Sequence, residues 1–324
     1  MLVSVIMSVY NGSDYVRDAI NSILEQTFKD FEFIIINDGS TDESSAILRK
    51  YAAIDPRIVL LENEVNIGLP KSLNKAIQIA QGEFIARQDA DDISSLNRLM
   101  VQMMYATHHP EIDLIGANCY TIDINSDIVC LTDHYSGITD LKSTLLEKKA
   151  IFSHGVAFIR KTALINAGLY DERFFYSQDG ELWLRMLSKN AQFKVLDELL
   201  YFYRVLPVSN FRKGRAQRCY NDVKKMMYLD GIDETTINNK LQEIADNIRS
   251  GRYNSPVKNH IGVYWKCLAN TAYFNKCANW RVPFKYLKRA YKESLSIFGN
   301  IKFIPLAVLY LLPPKLTRRV YNSR

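Results

Sequence analysis

The chain has 324 residues, of which 48% are hydrophobic and 23% charged, with 14 Gly and 9 Pro, a make-up that excludes a disordered, collagen-like or low-complexity protein. The formal net charge of +6 is unevenly placed: residues 281–324 hold ten Lys or Arg against one acid, Glu293, a local balance of +9 that leaves the remainder at −3. A uniformly basic surface would point to nucleic acid, and this distribution points away from it.

Short apolar runs alternate with helix-period segments from the start, the pattern of a parallel sheet covered by helices. Val3 to Tyr10 reads as a buried strand and Asp14 to Gln26 as a helix with Tyr15, Val16, Ala19, Ile20, Ile23 and Leu24 on one side. Phe31 to Ile36 is a nearly continuous β-branched and aromatic strand, as expected where both faces are covered, and it exits into NDGSTD. Ser40 or Thr41 can cap a helix to about Ala53, and Arg57 to Glu62 is a third strand. Asn66 and Gly68 mark a turn, Leu69 to Ala80 a helix, and Glu83 to Gln88 a fourth strand running into DADD. Two strands thus end in acids, and the carboxyl ends of the strands are where ligands of open α/β sheets bind. Ser94 to His108 is predicted helical, Asp113 to Tyr120 a strand, His154 to Arg160 a strand, Thr162 to Ala167 a helix ended by Gly168, Asp179 to Leu187 an amphipathic helix and Phe193 to Arg204 a strand with a turn. Helical spacing dominates from about Arg215, so the expected division is an α/β domain over 1–212 and a helical C-terminal region over 213–324.

Five cysteines without a CxxC pair indicate neither a disulfide framework nor a zinc cluster, and imply a reducing setting. The opening VSVIMSVYNG lacks the features of a secretory signal, so the expectation is a protein that is not exported. In DADD, carboxylates at i and i+2 directly after a strand can reach one hard cation, Mg²⁺ or Mn²⁺, with water and phosphate completing its shell. A helix-loop-helix calcium loop is excluded, because Ile93 falls on its third ligand position and no Gly or terminal Glu follows at the needed spacing. Alone, DADD would equally fit a solvated turn or a helix cap.

Three segments, holding four motifs in order, carry more when taken together. VSVIMSVYNGSDYVRDAINSILEQTFKDFEFIIINDGSTDES, ENEVNIGLPKSLNKAIQIAQGEFIARQDADD and YDERFFYSQDGELWLRM closely resemble the inverting family 2 glycosyltransferases over roughly residues 3–205. The resemblance implies an α/β, A-type nucleotide-sugar transferase fold, a Rossmann-like mixed sheet flanked by helices, here with a helical C-terminal extension. It also implies a metal-dependent transferase taking a hexose, glucose or galactose before an N-acetylhexosamine, from a UDP-sugar to a saccharide hydroxyl. By the same resemblance, Asp38 reads a ring N–H of uracil. Ser8, Val9 and Tyr10 border that pocket, and Asn66, Gly68 and Leu69 form the NxGL turn beside the nucleotide. Asp91 is the direct metal ligand, Asp89 a ribose or water-mediated partner, and Ala90 the residue between them. Arg87 contacts the diphosphate or holds Asp89, and Arg204 belongs to a segment that folds over the diphosphate. Asp179 matches the general base of the family's ED motif, with one departure: Gln178 stands where Glu is common, and loss of that charge lowers the base's proton affinity. His154 aligns near the acceptor site, Trp183 is expected to pack its helix and Arg185 to pair with an acid.

The apolar run Phe303 to Leu312 is too short to span a bilayer and is broken by Pro305. With Lys285, Lys288, Arg289 and Lys292 before it and Lys315, Arg318 and Arg319 after, it fits an in-plane element on an anionic membrane surface; a terminal helix packed on its own domain is the alternative. The membrane reading implies a peripheral protein on the cytoplasmic face of the inner membrane, with a polyprenyl-diphosphate-linked acceptor, as in O-antigen or capsule assembly. A sugar nucleotidyltransferase should show a glycine-rich loop where SVYNGSDY stands, and dinucleotide-binding oxidoreductases need a GxGxxG that is absent. A non-catalytic membrane-surface scaffold keeping the fold is the remaining competitor, and the intact DADD and Asp179 argue against it.

Overall fold

The computed structural model describes residues 2–132, 140–147, 151–207, 209–252, 264–265, 268–269, 272 and 281–295. The predicted strands and helices of the first hundred residues are present: β1 (Val3–Val9), α1 (Val16–Leu24), β2 (Phe31–Asp38), α2 (Ser44–Ile54), β3 (Ile58–Asn63), α3 (Leu69–Ile79) and β4 (Phe84–Asp89). They are followed by β5 (Ile93–Ser94), α4 (Arg98–His108), β6 (Leu114–Ile122), β7 (Ile128–Thr132), α5 (Leu141–Leu146) and a 3-10 turn at His154–Val156. Then come β8 (Phe158–Arg160), α6 (Lys161–Ala167), α7 (Gln178–Ser188), β9 (Phe193–Arg204), α8 (Ser209–Leu229), α9 (Glu234–Arg249) and α10 (Arg281–Leu295).

Among the described residues the strands run in the order β3-β2-β1-β4-β8-β6-β9-β5, with β7 paired to β6. The β3-β2-β1-β4 half is parallel, while β8 joins β4 and β6 antiparallel. Every residue of β2 is buried, which is why its sequence does not alternate. Helix α4 starts at Arg98 and not at Ser94, because Ile93 and Ser94 pair with Phe202 and Tyr201 as a short antiparallel strand. That pairing depends on β9, distant in sequence, so no local signal announces it.

The chain divides into two compact units. The first takes Met1–Cys119, His134–Tyr203 and Arg215–Tyr253, the second Tyr120–Asp133, Arg204–Gly214 and Asn254–Arg324. Helix α9 and most of α8 therefore fall with the large sheet, unlike the expected break near residue 212. The cause is an apolar cluster in which Phe174 meets Tyr220 and Val223 of α8 and Ile237, Leu241 and Ile244 of α9. Polar ties reinforce it: Tyr228 donates to Glu181 at 3.1 Å, and Arg173 pairs with Glu234. The second unit has its own core, with Val129 and Cys130 beside Tyr264, Trp265, Tyr286 and Ala290. The expected membrane element over 297–320 lies outside the described residues. Among those described, no helix is long and apolar enough to cross a membrane.

Candidate functional site

Strand register brings the acidic strand ends level. Ser8 lies opposite Asp89 across the β1–β4 pair, Val9 opposite Asn37, and Asp38 opposite Asn63. The loops after β1 and β2 are stitched together: Asn11 N–H donates to Ser40 Oγ, Gly12 N–H to Ser44 Oγ and Ser13 N–H to Asp42. Although burial alone would push Asp42 up, the donors on Ser44 and Ser13 pull its carboxyl down to about 2, so it stays an anionic acceptor. Tyr10 is 52% exposed at the mouth of this edge, and Val9 behind it is fully buried.

Asp38 is buried, and its carboxylate gathers the turn after β3. Oδ1 accepts from Asn63 Nδ2 at 2.8 Å and from Ile67 N–H at 2.9 Å, while Oδ2 accepts from Gly68 N–H at 3.0 Å. Asn66, Gly68 and Leu69 are thereby drawn to the end of β2. Two glycines make this approach possible. A methyl group on Gly39 would lie 2.5 Å from the Asn66 nitrogen, and Gly68 has φ 93 and ψ 154, a region essentially closed to other residues.

The turn after β4 carries Asp89, Ala90 and Asp91, all partly exposed, followed by the buried Asp92. It rests on polar groups that the sequence reading did not single out. Gln88 Nε2 donates to the carbonyls of Asp89 and Asp92, Ser94 Oγ donates to Gln88 Oε1, and Asp89 N–H donates to Tyr201 Oη at 3.1 Å. Beneath them Arg98, fully buried, donates to the Arg87 carbonyl at 2.8 Å and to Ser94 Oγ at 2.9 Å, with its guanidinium over the Tyr201 ring. Burial lowers Arg98 to about 10. The available signal was a pair of polar residues, Arg98 and Gln102, one turn apart on an otherwise apolar helix face; their Nε and Oε1 hydrogen-bond at 3.1 Å.

Arg87 is 1% exposed, and its Nη2 donates to Asp89 Oδ1 at 2.6 Å. Its Nε and Nη1 have no hydrogen-bond partner. Leaving such donors unmet costs about 1–3 kcal/mol, a cost that an anion in the site would relieve. Within electrostatic reach of Arg87 is His154, whose Nε2 shares a 2.7 Å hydrogen bond with Tyr170 Oη. Burial and the Arg87 charge lower His154 to about 4, against the opposing pull of Asp179 and Asp89, so the ring is neutral at physiological pH. Burial also raises Tyr170. Asp179 stands in the first turn of α7, directly after Ser177 and Gln178; Ser177 has φ 60 and ψ 22, a left-handed conformation unusual for serine. Trp183 is buried as expected, and Arg185 forms a two-pronged pair with Glu181. Thus Arg87, Asp89, His154, Tyr170 and Asp179 share one electrostatic neighbourhood.

Arg204 belongs to the second unit. It is 2% exposed, and Nη1 donates to the Asp123 carbonyl at 3.1 Å and to Ser126 Oγ at 2.9 Å. The arginine expected in a segment that folds over the diphosphate thus has its guanidinium buried in a turn of its own unit.

Among the described residues no group of three His, Cys, Asp or Glu side chains forms a cation cage. Asp89 and Asp91 offer carboxylate oxygens alone on one turn, a donor set that suits a hard cation retaining water and phosphate ligands. With unmet Arg87 nitrogens beside Asp89, this edge can accept a diphosphate together with such a cation.

The model of the family described as glycosyl transferase family 2 matches residues 4–168. An uncharacterized glycosyltransferase of Methanocaldococcus jannaschii is 35% identical over 225 residues, covering 68% of this chain and 77% of that protein. The O-antigen biosynthesis glycosyltransferase WbnJ of Escherichia coli is 32% identical over 250 residues, covering 74% and 92%. Among solved structures, TarS 1-349 of S. aureus in complex with UDP-GlcNAc aligns with a TM-score of 0.56 at 18% identity, covering 90% of this chain and 89% of that one. The mannosyltransferase PcManGT from Pyrobaculum calidifontis, in complex with GDP-Man and Mn2+, aligns with a TM-score of 0.54 at 14% identity, covering 90% and 86%. At these identities the structural likeness shows the fold, the A-type fold of nucleotide-sugar transferases.

Proposed function

The chain belongs to glycosyl transferase family 2, and from that premise we propose that it moves a hexose from a UDP-sugar to a saccharide hydroxyl, with inversion, in the assembly of a cell-surface polysaccharide. The observation that carries this reading is the buried Arg87, with two unmet guanidinium nitrogens, paired to Asp89 at the carboxyl ends of the parallel strands, level with Ser8 and near the end of β2 at Asp38. The relatives support the setting, one being named for O-antigen and another for amylovoran biosynthesis. The nucleotide sugar of TarS supports a UDP donor.

In this mechanism Asp38 and the 66–69 turn bound the base, with Tyr10 at the mouth and Ser8 and Val9 at the floor. Arg87 meets the diphosphate through Nε and Nη1 while its Nη2 keeps Asp89 oriented. Asp91 and Asp89 would hold Mg²⁺ or Mn²⁺, which when bound stabilises the negative charge of the departing diphosphate. Asp179 accepts the proton of the acceptor hydroxyl as that oxygen bonds to the anomeric carbon and the sugar–phosphate bond breaks on the opposite side, so an α donor yields a β linkage. Neutral His154 and Tyr170 line the acceptor side without competing for that proton. A polyprenyl-diphosphate-linked acceptor on an anionic cytoplasmic membrane face is the companion proposal for the basic C-terminal end.

The test is UDP release by the full chain with Mn²⁺ over a panel of UDP-sugars, alongside calorimetric UDP binding. Release from one donor that is lost in Asp91→Ala and Asp179→Asn is the expected result. Absence of both release and UDP binding would overturn the reading in favour of a non-catalytic scaffold.

A further inference from the structure

Beside the segment that leads into Asp179, the first unit holds a half-open groove of about 560 Å³ between residues 172–175 and helices α8 and α9. This is within the range of small-molecule sites and large enough for two sugar rings. We propose that it binds a neutral saccharide portion of the acceptor, a role that rests on the glycosyltransferase reading.

Three observations carry the assignment. The lining mixes an aromatic face with planar amides: Phe175, 46% exposed, stands with Asn238, Asn239 and Gln242 of α9. A pyranose presents an apolar C–H face and a rim of hydroxyls, which this combination matches.

Both arginines of the lining are already paired within the protein. Arg173 forms a two-pronged pair with Asp171, bonds Asn238 Oδ1 at 2.5 Å and pairs with Glu234. Arg249 pairs with Asp246 at 2.6 Å, and Glu172 accepts from Asn74 Nδ2 at 3.2 Å. With its arginines committed to carboxylates, the groove suits an uncharged polyhydroxyl ligand better than a phosphate.

The groove also shares a wall with the nucleotide turn. A methyl group placed on Gly68 would lie 3.0 Å from the Phe175 ring, while the Gly68 N–H holds Asp38. A ligand in the groove therefore lies against Phe175, four residues before the proposed base in the chain.

The experiment is saturation-transfer NMR on the full chain with cellobiose, lactose, maltose and chitobiose, and with inorganic phosphate as a competitor, run in parallel with calorimetric UDP binding. Two variants are compared: Ala245→Phe, which fills the groove from α9, and Asn239→Ala/Gln242→Ala, which removes exposed amides without touching a core position. The expected result is transfer to at least one disaccharide, weakened on the order of tenfold in both variants, insensitive to phosphate, with UDP affinity unchanged. Transfer to none of the four, transfer that survives both variants, or displacement by phosphate would overturn the groove assignment. Loss of UDP binding by the unchanged chain would count against the transferase reading alone, because disaccharide binding is read without nucleotide.

Discussion

Asp179, the proposed base, and His154 sit in one electrostatic neighbourhood. Asp179→Asn keeps the side chain's size and removes its basicity, so kcat should fall by about 10²–10⁴; UDP affinity by calorimetry should stay within a few fold, and a matching loss of UDP binding would mean that Asp179 holds the nucleotide. His154 gives a pH signature. Its value of about 4 in the fold lies below the ordinary 6.5, so the unfolded chain takes up the proton first as pH falls. The stability carried by the neutral ring is complete above pH 6.5 and is lost as pH falls toward 4. Urea denaturation across that window should show a shallower pH slope in His154→Gln than in the unchanged chain; equal slopes would remove His154 as a cause.

At the scale of elements, the decisive joint is the turn between β3 and α3. Asp38 holds it through the N–H groups of Ile67 and Gly68, and Gly68 is positioned by a backbone conformation that an alanine reaches only with strain. Gly68→Ala should cost about 1–3 kcal/mol in urea denaturation. It should also weaken UDP binding, since the added methyl presses on Phe175 and displaces the turn. Full UDP affinity in this variant would separate the turn from the nucleotide. The motif residues on this edge were legible because each local element is simple: a buried apolar strand, then a polar turn, then an amphipathic helix. The support under the DADD turn was not, because Gln88, Arg98 and Tyr201 come from three separate places and meet only when β9 returns to pair with β5.

For the whole molecule, the boundary near residue 212 drawn from the change in periodicity differs from the packed units. Helices α8 and α9 cover Phe174 and reach Glu181. A chain ending at residue 212 should accordingly lose several °C of melting temperature or fail to stay in solution, measured by differential scanning fluorimetry. An unchanged melting curve would show that the first unit does not need them. The α/β alternation, the acidic strand ends, the family motifs and the candidate base follow from the sequence itself, because strand burial, turn chemistry and helix periodicity are short-range. The tertiary structure alone decided that Arg204 closes a turn of the second unit, that Arg87 keeps two unmet nitrogens beside Asp89, and that α8 and α9 form a groove against residues 172–175. Each of these depends on which distant side chain supplies the last hydrogen bond or apolar contact, and that is set by chain topology rather than by neighbours in sequence.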